Sequence, residues 1–347
     1  MISMWRRAGI FIRHAAAALF AMLALLPGAS AGVEQSPSVT APGPAAQAAN
    51  NPPRWSETRS GIASIPGVER GVLIQGRGQA WRALRPTIAT AGSILLAGCV
   101  AALAAFFVWR GPIQVSGKPT GRLIERFTLA DRWSHWVMGI SFVVLALTGL
   151  AITYGKYVIL PLAGYEANAW IVIVSKTVHN FTGPVFLLSL PFFIARFVRD
   201  NLPRRWDLDW LAKGGGMFTG RHVPSGRFNA GEKTLFWGLV CTFSVIQCVT
   251  GLVLDFPEFG QGRSAMQSAN VIHLVVGLLA ISASLFHMYL GTVGVRGAFA
   301  AMRHGTVDES WAREHHEIWY DEVRAGKSRQ HYATEKPDGA FARVVDA

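Results

Sequence analysis

Asn270–Tyr289 reads NVIHLVVGLLAISASLFHMY, with His273 and His287 as its only ionisable side chains apart from the terminal tyrosine. At 1.5 Å per residue such a run reaches across the roughly 30 Å of hydrocarbon in a bilayer. The two histidines are fourteen residues apart (273 and 287). That spacing is a rise of about 21 Å and a return to within about 40° of the same helix face. One helix therefore presents two imidazoles on one side, one per leaflet. Ionisable groups at membrane depth are costly and mark functional sites by default.

The rest of the chain agrees with a membrane setting. Hydrophobic residues make 51% of the 347 positions and charged residues 16%, against about 25% charge in soluble domains. Mean hydropathy is +0.29. This composition argues against a soluble enzyme. A net charge of +12 would suit nucleic acid, but in a membrane protein it marks cytoplasmic loops, so no nucleic-acid partner is expected. Cys99, Cys241 and Cys248 all lie in apolar runs without a CxxC or CxxCH. That excludes a zinc ribbon, a thiolate iron–sulfur site, covalent c-type haem and a disulfide framework.

Residues 1–31 read as a signal peptide: Arg6, Arg7 and Arg13, the apolar stretch Ala15–Leu26, then Ala29-Ser30-Ala31. Residues 32–86 are rich in Pro, Ala, Gly, Ser and Gln and are expected to be periplasmic and largely disordered. Five spans follow: A (87–109), B (131–154), C (175–198), D (234–256) and E (270–293). The expected fold is an all-α membrane bundle of five transmembrane helices after a cleaved signal peptide. Four of them, within 122–296, form the core; 297–347 is a cytoplasmic tail. The C–D loop carries Arg199, Arg204, Arg205, Lys213, Arg221, Arg227 and Lys233, whereas the B–C loop offers Lys156 and the D–E loop Arg263. Basic loops lie inside. The A–B and C–D loops and the C-terminus are therefore expected in the cytoplasm of a bacterial inner-membrane protein, with the mature N-terminus outside.

Four of ten histidines fall within spans: His135, His179, His273 and His287. Topology pairs His135 with His287 at the cytoplasmic side and His179 with His273 at the periplasmic side. Two facing imidazoles are the axial set of a non-covalent b-type haem, so two haem b groups are expected. A zinc site would gather three or four ligands at one depth. Each histidine has a glycine four residues on, Gly139, Gly183, Gly277 and Gly291, on the same face, which leaves a flat slot for a porphyrin. Close packing of helices by small residues is the alternative. Arg132 and Lys176, each three residues before a ligand, suit haem propionates or simply the membrane interface. His315 and His316 sit in a polar tail and read as surface or partner contacts.

DRWSHW (131–136), TVHNFTG (177–183), GRFNAGEKTLFW (226–237), the quoted span and WAREHHEIWYDE (311–322) resemble the cytochrome b (gamma) subunit of respiratory membrane-bound formate dehydrogenase. The resemblance runs from Arg122 to Arg313. The His–His spacing is shared with cytochrome b subunits of nickel–iron hydrogenases and thiosulfate reductases. The resemblance implies a molybdenum- or tungsten-containing catalytic (alpha) subunit that oxidises formate, and an iron–sulfur (beta) subunit that passes electrons on. It implies two haems carrying them to a quinone. His179 and His273 would ligate the haem nearest the iron–sulfur donor, and His135 and His287 the one near the quinone. Asn229 would contact the quinone, and His287 would also hydrogen-bond it. The signal peptide, residues 32–86 and span A are additions to the four-span family core.

No Ser/His/Asp set, P-loop or dinucleotide fingerprint occurs; formate oxidation itself would lie on a partner subunit. Other readings are a hydrogenase-type cytochrome b, a proton-coupled transporter using the histidines as a relay, and an anchoring protein whose histidines only pack. On position alone, Asn229 is as good an N-cap for span D as a quinone contact.

Overall fold

The computed structural model describes residues 76–220, 222–257 and 262–333. The signal peptide, the first part of the 32–86 segment, Arg221 and the end of the tail lie outside the described residues. Four helices are long and apolar enough to cross a membrane.

Helix α1 runs Gly76–Arg110. It begins well before Thr87, so 76–86 is helical where disorder was expected. Gln79, Ala80, Arg82, Ala83 and Leu84 are good helix formers, and the Pro/Gly content of the segment masked them. Helix α2, Leu129–Phe197, opens on a reciprocal cap. Thr128 Oγ1 accepts from Asp131 N at 3.3 Å and Asp131 Oδ2 from Thr128 N at 3.1 Å. The one non-helical residue inside it is Gly164, at φ 82, ψ 177. There the chain reverses: Thr148 meets His179, and Asp131 meets Arg196, across the two arms. Spans B and C are thus a helical hairpin. The stretch expected as the B–C loop is helical except at this glycine.

A short helix α3, Arg205–Ala212, leads to α4, Ala230–Asp255, whose middle (Phe236–Ser244) is π-helical. Helix α5, Arg263–Tyr289, ends in a second π-turn, Leu290–Gly294. Helices α6 (Ala298–His304), α7 (Glu309–His315) and α8 (Glu317–Arg324) follow. A two-stranded antiparallel ribbon departs from the all-α expectation: β1 (Leu123–Glu125) pairs with β2 (Thr306–Asp308), Ile124 opposite Val307. We call the end of the bundle that carries it the ribbon end.

The tail is therefore part of the fold over its described length. Ile124, Phe127, Phe193, Phe197, Phe236, Trp311 and Trp319 form one buried cluster at the ribbon end. A smaller cluster seats α1, where Ala89 and Leu96 pack on Tyr154 and Leu278 and the Tyr154 hydroxyl donates to Ala89 O at 2.9 Å. The outer faces of the long helices stay apolar; Leu188 is 75% exposed and Phe181 78%. Such contiguous apolar surface suits lipid, and the chain is an integral membrane protein.

Candidate functional site

Two imidazole pairs lie inside the bundle. His135 of α2 faces His287 of α5 with ring centroids 6.1 Å apart, and His179 faces His273, also at 6.1 Å. The sequence reading paired them in this way. A metal held between two imidazoles by bonds of about 2.0–2.1 Å puts the ring centroids about 6 Å apart, so both separations fit one shared iron. Along α5 the two levels are about 21 Å apart. Among the described residues no group of three or more His, Cys, Asp or Glu side chains converges on a metal position, which leaves two-ligand sites.

Hydrogen bonding fixes the tautomer at the His179–His273 level. Thr148 Oγ1 donates to Val144 O at 2.7 Å, and Thr250 Oγ1 donates to Ile246 O at 2.7 Å. Each hydroxyl has one proton, already used. Each threonine oxygen can then only accept, from His179 Nδ1–H at 2.8 Å and His273 Nδ1–H at 2.9 Å. Nε2 of both rings is left with its lone pair, the form a metal takes. His135 differs, since its Nδ1 is buried without a hydrogen-bond partner.

The His179–His273 level opens on a cavity of about 500 Å³ with mostly apolar walls. Gly183 and Gly277 line it, as do Lys176 and Arg85. A Cβ at Gly139, Gly183 or Gly291 would meet no heavy atom within 4 Å, as a slot requires. Gly277 differs, because a Cβ there would come within 2.7 Å of Gln247 Nε2. Its smallness admits that amide, which donates to His273 O at 2.9 Å. Lys176 also reaches Asn180 Oδ1 at 3.5 Å. Arg132 is at the ribbon end, where its guanidinium donates to Arg303 O at 2.9 Å.

Asn229 is the N-cap of α4. Its Oδ1 accepts from Glu232 N at 2.9 Å, and Glu232 Oε2 accepts from Asn229 N at 2.8 Å. The cap uses Oδ1 and leaves the Nδ2 amide as a donor. Phe236, about 10 Å further along the helix, stacks on Phe193, which in turn touches His135. The loop before α4 is fastened by buried ion pairs. Arg227 meets Asp200 and Asp131, Arg126 meets Glu232 at 3.0 Å, and Lys233 meets Asp207 at 2.8 Å. His316 corrects the surface reading: it is 2% exposed, and its Nδ1–H donates to Gly226 O at 2.7 Å.

The sequence reading missed Arg85, which lines the cavity, and Thr148 and Thr250, which hold its two histidines. Arg85 lay in the stretch assigned to disorder. Thr148 and Thr250 were passed over as ordinary helix residues. A signal for the threonines exists: Thr-Gly-Leu recurs at 148–150 and 250–252, once on each helix facing a histidine.

Known proteins similar to this chain are formate dehydrogenase cytochrome b556 subunits. The chain is 28% identical over 214 residues to the nitrate-inducible formate dehydrogenase cytochrome b556(Fdn) subunit of Escherichia coli, covering 60% of this chain and 95% of that protein. It is 28% identical to the formate dehydrogenase cytochrome b556(fdo) subunit of the same organism, over 58% of this chain and 93% of the other. The formate dehydrogenase cytochrome b556 subunit of Haemophilus influenzae is 25% identical over 62% of this chain and 89% of its own length. The model of the prokaryotic cytochrome b561 family matches residues 126–305, which hold all four paired histidines. By that match over more than half of its length, the chain belongs to the prokaryotic cytochrome b561 family.

Proposed function

We propose that this chain is the cytochrome b subunit of a respiratory formate dehydrogenase, passing electrons from an iron–sulfur partner subunit across the membrane to quinone. The observation that carries the reading is the pair of imidazole pairs, each 6.1 Å between ring centroids, on a chain whose relatives are formate dehydrogenase cytochrome b556 subunits. The mature chain crosses the inner membrane five times, counting both arms of α2, with the ribbon end in the cytoplasm. The basic C–D loop supports that orientation.

Haem b, bound non-covalently at each level, supplies a one-electron couple. The chain's own residues do the rest. His179 and His273 hold the outer group, nearest the donor subunit, and His135 and His287 the inner one. Gly139, Gly183 and Gly291 keep the helix faces clear for a flat macrocycle. Lys176 at the outer level and Arg132 at the inner are cations for propionates, and Arg85 adds a second cation at the outer cavity. Asn229, its Oδ1 engaged in the cap, offers Nδ2–H to a quinone oxygen without changing charge, and His287 borders the same quinone. Formate oxidation lies on the molybdenum- or tungsten-containing partner.

The test is a dithionite-reduced minus oxidised spectrum with haem stoichiometry on the purified complex. Two b-type haems per chain are expected, and one in His179→Ala. Quinone reduction should stop in that variant while dye-linked formate oxidation persists. A wild-type chain without reducible b-type bands overturns the proposal and leaves a proton relay standing. Asn229→Asp keeps the capping oxygen and removes the Nδ2 donor. It should slow quinone reduction at unchanged haem content, and an unchanged rate removes Asn229 from the quinone site.

A further inference from the structure

The outer cavity is walled by two copies of one device. On α2, Thr148 spends its hydroxyl proton on Val144 O and accepts from His179 Nδ1 at 2.8 Å. On α4, Thr250 does the same with Ile246 O and His273 Nδ1 at 2.9 Å. The next residue is glycine in both. A Cβ at Gly149 would lie 3.4 Å from His179 Cε1, and one at Gly251 3.5 Å from His273 Cε1. A Cβ at either position would make only ordinary van der Waals contact, so each imidazole edge lies close against the helix, where the preceding hydroxyl reaches its Nδ1. The match is between two different helices gripping two different histidines, which general helix packing does not require. No such acceptor serves His135, whose Nδ1 is buried and unpartnered.

We propose that Thr148-Gly149 and Thr250-Gly251 are paired clamps that position the outer ligands and tune the electron affinity of the iron between them; the inference rests on the haem reading above. The threonines are positioning residues, since they act through the imidazoles. Hydrogen-bond donation from Nδ1–H to a fixed oxygen raises the basicity of the ligand nitrogen. A more basic ligand favours ferric over ferrous iron and lowers the potential. Both axial ligands carry the same bond, so the two effects add at one iron. The outer site is thereby biased to release its electron toward the inner site, whose His135 lacks the bond.

The experiment uses the purified complex with its partner subunits. Thr148→Val and Thr250→Val keep the volume and delete the acceptor, while Thr148→Ser and Thr250→Ser retain it. Each is read by spectroelectrochemical titration of both haems and by low-temperature electron paramagnetic resonance. The outer haem is identified as the one missing from His179→Ala. Each valine variant should raise the potential of the outer haem alone and shift its low-spin resonance. Haem retention should weaken on the order of ten- to a hundredfold. Serine should return all three readings to those of the unaltered complex. Valine variants with an unchanged outer potential and resonance overturn the proposal, as do serine variants displaced as far as valine. If a valine variant does not assemble, Thr148→Cys, whose sulfur accepts only weakly, is read the same way, and a wild-type potential there overturns the clamp. An unaltered complex with no reducible b-type bands is a different result, since it removes the haem reading itself.

Discussion

Burial of His316 between Trp311 and Trp319, and secondarily the neighbouring Arg126 guanidinium, pushes its imidazole down from 6.5 to about 3. Its Nδ1–H is held by Gly226 O at 2.7 Å, so the folded tail holds the neutral ring. In the unfolded tail the ring protonates near pH 6.5. A depressed folded pKa means stability that is fully present above the unfolded value and is lost as pH falls. The loss should begin near pH 6.5 and approach about 1.4 kcal/mol per pH unit below it. Carboxylates act in the same direction but lower. Against the opposing pull of burial, hydrogen bonds from Ser310 hold the Asp308 carboxyl below its usual range, so its contribution fades only in the carboxylate range. The hydrogen-exchange protection factors of residues 306–324, with the intrinsic exchange rate at each pH divided out, should therefore fall between pH 7.5 and about 5.5, well before carboxylates titrate. His316→Asn should flatten that dependence. An equally steep profile in the variant would remove the imidazole as its source. Sequence alone could not find this role, because HH in a polar tail carries no mark of the carbonyl that folds over it.

Among the elements, the long α2 hairpin turns on one backbone position. Gly164 sits at φ 82, ψ 177, a region essentially closed to residues with a Cβ. No heavy atom lies within 4 Å of where a Cβ would be, so an alanine there meets strain without collision. Gly164→Ala should cost about 1–3 kcal/mol, read as a lower thermal midpoint of the detergent-solubilised protein. Gly98→Ala in α1, also with open space around it, is the control and should be neutral or slightly stabilising. Equal midpoints for the two variants would show that the reversal does not depend on this glycine. Spans were legible because apolar length is a strong signal. The connection between B and C was not, since Pro161 and Gly164 read as loop punctuation while most of 155–174 continues the helix. The start of α1 was missed for the same reason, composition outweighing propensity. The β1–β2 ribbon is three residues per strand, too short for alternation to register.

Across the whole molecule, the legible part was depth. His273 and His287 on one face, and His135 and His179 at opposite ends of a reversing chain, required only helical rise and topology to be paired. What supports the rings, Thr148 and Thr250, was not legible. A threonine on an apolar helix normally bonds its own i−4 carbonyl, and only its cross-helix distance to an imidazole distinguishes it. Depth also has an energetic consequence. The two levels are about 21 Å apart in roughly 30 Å of hydrocarbon, so an electron moved between them crosses about two-thirds of the membrane field. At about 2.3 kcal/mol per charge per 100 mV, that transfer is opposed by roughly 1.6 kcal/mol when the ribbon end faces the negative side. In proteoliposomes holding the complex in that orientation, imposing 100 mV, ribbon end negative, should shift a shared electron about fifteenfold toward the level away from the ribbon end. Release of the potential should reverse it. A distribution indifferent to the potential would mean that both levels lie at one depth of the field, which the α5 spacing forbids.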